Sequence, residues 1–546
     1  MLATHPSAQE SPTLLAMQDE MRRSMAELRM KGEAAPYYIA YEVLDRTMSD
    51  VSGRLGAIVE TPPRRTRTLR VEVRVGDYTF DSSRFVVQGF GGGAGLAGET
   101  VIAPLDDDYD AMRREIWLTT DTAYKRAISM FARKKAAFQN RTASDPIPDF
   151  SQEPPVETIV PNTVRLKPDP TGDRSAVVAR VQQPSAIFAA HPDVDLSEVA
   201  ITQIHGTRYY LNSEGFKTVA PIQITSLTMY GEAQAADGMP VRQTFTDVGR
   251  TLADLPPVAD LVARARQMAG EIGAVRAAPI GEEFAGPVLI EGIGAPQFVA
   301  ETLVQMMQAR RPPDVENPRM GQAPASPFLN RMGLRVMADA FNASDTPSLT
   351  HFEGKPLAGS YVVDDEGMRA QDVKLVEKGR LTALLTSRVP QKNFLRSNGH
   401  GRSTTVLAGV FQMESALALP AAELRAKYLA LLKAQDKTFG YIVRGVRSDG
   451  QGGGGPAIDS IVKITLDGRE TPVRGMRFGA VSPMAFRDLA EASSERTVFS
   501  YRAGATSAVS VIAPSLIFEE LEIQRVRDIL QKPPVVPSPL KTLNTH

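Results

Sequence analysis

Gly286-Pro287-Val288-Leu289-Ile290 reads as a strand, and the stretch from Pro296 to Arg310 that follows reads as a helix packed through Val299, Leu303 and Met306. Aliphatic residues in succession after a Gly-Pro step fit a strand, whereas apolar side chains three to four apart fit one helix face. Beyond this unit the pattern is mostly β. One further helix is predicted at about Pro420 to Gln435, where Leu424, Tyr428, Leu431 and Leu432 make a core face. These features exclude an all-helical fold and point to a β-rich domain over residues 285–525.

The preceding half has a different pattern. Leu14, Met17, Met21, Met25 and Leu28 lie on one helical stripe. Strands are predicted at Tyr37–Val43, at Thr66–Val75 with Leu69, Val71, Val73 and Val75 alternating, and at Ser83–Val87. A long helix is expected from about Asp108 to Asn140, with Asp106, Asp107 and Asp108 complementing its N-terminal dipole and Tyr124, Ile128, Phe131 and Phe138 on one stripe. The proline-rich stretch at about 141–157 continues neither helix nor ladder. Further strands are expected at Ala200–His205, Arg208–Asn212, Ile222–Tyr230 and Arg242–Asp247, and a helix from Pro256 to about Ala269. The expected architecture is α+β: a mixed region over 1–280 with long helices packed on antiparallel sheet, a boundary near Ala277–Ala285, the β-rich domain, and an extended, poorly ordered tail over 531–546 rich in proline.

With 546 residues, two or three domains are expected. Lys and Arg total 62 against 63 Asp and Glu, so no global field favours nucleic acid or an anionic membrane surface. No run approaches the roughly 20 apolar residues needed to span a bilayer. Met1 to Gln9 has neither the charge nor the apolar run of a signal peptide, although Pro6-Ser7-Ala8-Gln9 is compatible with a cleavage scar if the start lies upstream, so cytoplasm and periplasm both stay open. The absence of cysteine permits either compartment.

The helix centre Ala300-Glu301-Thr302-Leu303-Val304-Gln305 keeps a glutamate where a His-Glu-x-x-x-His metallopeptidase helix holds its acid/base, but a methyl and an amide replace the flanking imidazoles. A methyl cannot bind a metal, and a neutral amide rarely does. Together with Gly359-Ser360-Tyr361-Val362-Val363-Asp364-Asp365-Glu366-Gly367, Leu384-Leu385-Thr386-Ser387-Arg388, Ser397-Asn398-Gly399-His400-Gly401-Arg402 and Ala513-Pro514-Ser515-Leu516-Ile517-Phe518, these residues resemble the TldD/TldE (PmbA) metallopeptidase-like family. The resemblance is specific from Gly286 onward. It implies a two-fold assembly with a TldD-like paralogue or with a second copy, enclosing a cavity that admits unfolded peptide by strand addition. Some relatives are associated by name with DNA gyrase, but nothing basic in this chain supports DNA contact. The active branch of the family adds a late cysteine to its two helical histidines, and this chain has none. The expectation is therefore a TldE-like chain with no metal of its own, zinc residing in a partner subunit.

Glu301 is the one candidate catalytic residue, set against its reading as an ordinary carboxylate on a packed helix; residues five apart on an ideal helix are about 140° apart, so ligands at 300 and 305 would need a local distortion. His351 and His400 are the weak candidates for a substitute metal site, since imidazole with carboxylate suits zinc or manganese. Asp364-Asp365-Glu366-Gly367 could crowd a hard cation but reads better as a turn. The glycine-rich run containing Gly453 and Gly454 could admit a peptide backbone, as could the turn at Asn398, or the run could simply tip a hairpin. Gly93-Ala94-Gly95-Leu96-Ala97-Gly98 has dinucleotide-loop spacing but is followed by Glu-Thr-Val-Ile-Ala-Pro rather than a helix. Neither a Gly-x-Ser-x-Gly elbow nor a thiol is available for nucleophilic catalysis. The competing readings are an active peptidase with an unrecognised ligand set and a non-enzymatic peptide-binding scaffold.

Overall fold

The protein is described by a computed structural model covering residues 11–87, 98–139, 147–159, 172–316, 325–448, 455–526 and Val536. Most of the Gly93–Gly98 loop, Gly453 and Gly454, and all of the proline-rich tail except Val536 lie outside these residues.

Eight strands form the N-terminal sheet, in the order Glu99–Ile102, Arg64–Val75, Pro36–Arg54, Leu196–Asn212, Lys217–Gln234 and Glu157–Ile159. Ala57–Glu60 pairs with Pro36–Arg54, and Pro240–Gly249 pairs with Lys217–Gln234. Only Glu157–Ile159 pairs in parallel. Alternate residues of a strand share a face. Ile39, Tyr41, Val43, Leu69 and Val71 therefore point together at α1 (Pro12–Glu27) and α2 (Tyr109–Phe138). Further along the same face, Val51, Val199, Ile201, Leu227 and Met229 meet α3 (Gly172–Ile187) and α4 (Val258–Ala277). The helix starts follow from capping chemistry: the Ser11 hydroxyl accepts from Leu14 N at 3.2 Å ahead of Pro12, and the Asp108 carboxylate accepts from Ala111 N at 2.7 Å. No helix among the described residues is long and apolar enough to cross a membrane.

The C-terminal domain is built on an eleven-stranded sheet. Phe284–Ile290, Phe439–Arg447, Ala457–Thr465, Met476–Phe478 and Ala508–Arg525 pair in that order, and the first also pairs with the last, which closes a ring. From Ala508–Arg525 the sheet runs on through Val410–Ser415, Phe341–Asp345, Val373–Glu377 and Arg380–Leu381. The Gly-Pro step lies where Phe284–Ile290 shifts register against Ala508–Arg525, a bulge that tolerates a proline without N–H. Gly286 there has φ 153°, and a Cβ would meet the Lys437 side chain at 2.8 Å. Against the ring pack α5 (Gly294–Glu301) and α6 (Leu303–Met306), with the fully buried Phe298 ring 4.9 Å from Phe478 and 5.4 Å from Phe518. The last helix, α7 (Ala421–Ala434), buries Leu424, Tyr428 and Leu432.

Two expectations are corrected by these elements, and one helix is added to them. The helix from Pro296 to Arg310 stops at Glu301, because Thr302 leaves helical geometry (φ −120°, ψ −81°) with its hydroxyl on the Phe298 carbonyl at 2.5 Å. Ala200–His205 and Arg208–Asn212 are one strand, since Gly206 is a point of close approach to the Asp45 carbonyl rather than a turn. α3 was not anticipated, as Pro184 within it interrupts the pattern.

The halves are interlocked. Asp314–Val315 pairs in parallel with Phe85–Val86, and Arg388, wholly buried, reaches from the C-terminal half to Glu214 and the Ser151 carbonyl.

Candidate functional site

The break at Thr302 shapes the site. It turns α6 back so that the Gln305 amide donates to the Ala300 carbonyl at 3.4 Å while its oxygen accepts from Arg310 Nη2 at 3.1 Å. The distortion that ligands five apart would require is thus present, and its two positions carry a methyl and an amide engaged locally. Glu301 sits half-buried at the C-terminal end of α5 in a cleft of about 320 Å³, lined also by Gln305, Gln308, Arg310, Ser326 and Pro456. Burial raises the Glu301 pKa above the usual carboxylate range, with a Ser448 hydrogen bond opposing. Burial likewise lowers that of Arg310. Tyr501 stands close to both: burial first, then the Glu301 charge, raise its phenol, and Arg310 opposes them. The buried Gln308 side-chain oxygen has no protein partner. A carboxyl shifted toward its neutral form can hold polar backbone groups by hydrogen bonds.

The remaining candidates lie elsewhere. His400 is fully buried, its Nε2 3.2 Å from Asp345 Oδ1 and its Nδ1 2.9 Å from Asn398 Oδ1. Asn398 itself is engaged by backbone: Nδ2 donates to the Leu384 carbonyl at 2.9 Å, and Oδ1 accepts from Thr386 N at 2.8 Å. His351 is exposed on a two-residue strand beside the Thr350 hydroxyl. Asp364 forms a turn, accepting from Glu366 N and Met368 N at 2.9 Å each, with its second oxygen on Gly401 N at 2.9 Å. Burial, and then the nearby Glu366, hold its carboxyl well above the usual range. Gly453 and Gly454 fall outside the described residues. Among those described, no three His, Asp or Glu side chains are grouped so as to hold a metal ion. The donor set at Glu301 does not fit zinc, which takes at least three nitrogen, oxygen or sulfur ligands from protein. Tyr501 is brought to Glu301 only by the fold, from far along the chain, whereas Arg310 is close in sequence but belongs to no motif that marks it.

Known proteins match this geometry at two levels. Residues 287–525 match the model of the PmbA/TldA metallopeptidase C-terminal domain. Three solved structures share the fold: a protein proposed as a DNA gyrase modulator from Thermotoga maritima (TM-score 0.58, 14% identity, covering 93% of this chain and 100% of that one), TldE from Thermococcus kodakarensis (0.57, 15%, 93% and 99%) and a second proposed gyrase modulator from Bacteroides thetaiotaomicron (0.56, 10%, 93% and 99%). No curated protein matched the chain. Residues 287–525 thus carry a PmbA/TldA-type C-terminal domain, and the chain as a whole shares the fold of these structures.

Proposed function

We propose that this chain is a TldE-like subunit that carries no metal of its own and assists a zinc-bearing TldD-like paralogue in processing unfolded peptides. One observation carries the reading: at the helix break the positions flanking Glu301 are Ala300 and Gln305, and the Gln305 amide is already bonded to Ala300 and Arg310. The fold shared with TldE supports it. Glu301, held toward its neutral form, acts here as a hydrogen-bonding group for peptide, not as the base of a hydrolytic step.

Cleavage of an unfolded peptide by the purified chain, by a zinc-bearing paralogue and by the mixture tests this. Cleavage that needs both chains supports the proposal. Chelator-sensitive cleavage by this chain alone would establish an active peptidase with an unrecognised ligand set. Binding without cleavage in every combination would leave a peptide-binding scaffold.

A further inference from the structure

The Tyr501 phenol, which feels the charges of Glu301 and Arg310, also feels those of Asp345 and Arg402. Arg402 lines a second cleft, of about 160 Å³, where strand Lys217–Gln234 of the N-terminal sheet faces residues 358–365 and 506–508 of the C-terminal domain. Three arginines meet there: Arg208, Arg250 and Arg402. Arg208 is neutralised, by Asp365 and by Glu42. The other two are not.

Arg250 donates to the Ser360 hydroxyl at 2.7 Å and to the Ser360 carbonyl. Its neighbour Asp254 turns a carboxylate oxygen to the backbone N–H groups of Arg250 and Thr251, at 2.8 and 2.9 Å, and makes no ion pair with the guanidinium. Arg402, only 6% exposed, donates to the Ala408 carbonyl at 3.0 Å and lies over the Tyr361 ring at 4.3 Å. Among the described residues neither has a carboxylate within ion-pair reach. Burial, opposed by Asp254 and reinforced by the Arg402 charge, holds the Arg250 pKa below the usual range.

Arg402 is buried without a counter-charge and Arg250, itself exposed, crowds it, so an anion placed between them relieves the burial of the one and the repulsion of both. Guanidinium forks match a carboxylate in shape as well as charge. The remaining lining distinguishes among anions. Ile222, Ile224, Ala358 and Val362 give the cleft an apolar wall, which suits a carboxylate carried on an organic chain. Ser507 adds a hydroxyl whose protein partner, Ser403 Oγ, is 3.4 Å away.

We propose that this interdomain cleft binds the free α-carboxylate at the C-terminal end of a peptide, with Arg250 and Arg402 as its ion partners. The proposal rests on the peptide reading above and assigns it a chain end.

The test is fluorescence anisotropy with a dye-labelled unfolded peptide, synthesised with a free C-terminal carboxylate and again as its amide, against the full chain. The acid is expected to bind at least about tenfold tighter than the amide. In Arg250→Gln, whose side chain opens to solvent, the gap should fall to about twofold or less, and in Arg402→Gln likewise, with circular dichroism checking that each variant is folded. Equal affinity of acid and amide overturns the proposal while leaving peptide binding intact, as does a gap unchanged in folded Arg250→Gln. No binding of either form overturns the peptide reading itself. Inorganic phosphate supplies a separate arm: if it raises the melting temperature of the wild type but not of Arg250→Gln, and the acid shows no advantage, the cleft takes phosphate instead and the carboxylate assignment is wrong.

Discussion

Replacing Arg388 with methionine should loosen the join between the two halves. The guanidinium is fully buried, donates to the Glu214 carboxylate through both terminal nitrogens and to the Ser151 carbonyl, and lies 4.0 Å from the centre of the Phe150 ring. Methionine keeps most of the aliphatic volume and removes every charged contact. Breaking a buried pair by deleting one partner typically costs about 3–5 kcal/mol. Glu214 retains the Tyr78 hydroxyl at 2.7 Å, so we expect about 2–4 kcal/mol here. Urea unfolding read by far-UV circular dichroism and by fluorescence of Trp117, the single tryptophan, reports the whole chain and the N-terminal helix α2 separately. The two probes should separate in Arg388→Met, with the C-terminal half losing its anchor first. A double-mutant cycle with Glu214→Gln should give a coupling of about 1–3 kcal/mol. A loss under about 1 kcal/mol, or a coupling near zero, would refute the view that this buried pair joins the domains.

Other predictions follow from single residues. The Asp459 carboxyl is pushed up to about 6 by burial, with Arg447 opposing. Because its folded pKa exceeds the unfolded one, the native state binds the proton more tightly; its stabilising contribution is present below about pH 4 and is lost as pH rises to about 6. Asp459→Asn should flatten the melting-temperature profile across that window, a change of roughly 2–3 kcal/mol at most, and an unchanged slope would count against the assignment. Gly206→Ala places a Cβ 2.0 Å from the Asp45 carbonyl oxygen. Since only backbone can give way, about 3 kcal/mol of stability should be lost in chemical denaturation, and a neutral result would contradict the close strand approach. Tyr428→Phe removes a hydroxyl bonded to the Tyr441 carbonyl at 2.7 Å and the Pro287 carbonyl at 3.1 Å, which should cost about 1–3 kcal/mol by the same assay.

Periodicity made the N-terminal elements readable wherever one face is buried. Leu69, Val71, Val73 and Val75 alternate against α1 and α2, and the Asp108 cap sits where the acidic start of α2 placed it. It failed where a residue has more than one use. Gly206 signals a turn to the eye but serves close packing, and Thr302 ends a helix through a hydroxyl that any pattern of apolar residues ignores. Within the site, Glu301 and its flanking methyl and amide are local in sequence and therefore legible. Tyr501 near Glu301, and Arg250 beside Arg402, are brought to their places by the fold alone, and no spacing announces them. The two histidines attracted attention because imidazole is a metal ligand, yet the fold gives His400 to Asp345 and Asn398 and leaves His351 exposed on the surface.

The metal content of the purified full-length chain tests the central claim most directly. After incubation with zinc at neutral pH and desalting, mass spectrometry of the metal should find far less than one equivalent, and the value should be the same in Glu301→Ala. One tightly held equivalent that disappears in Glu301→Ala would show that this cleft retains a metal without histidine at positions 300 and 305, and the account of a subunit dependent on its partner's zinc would fail.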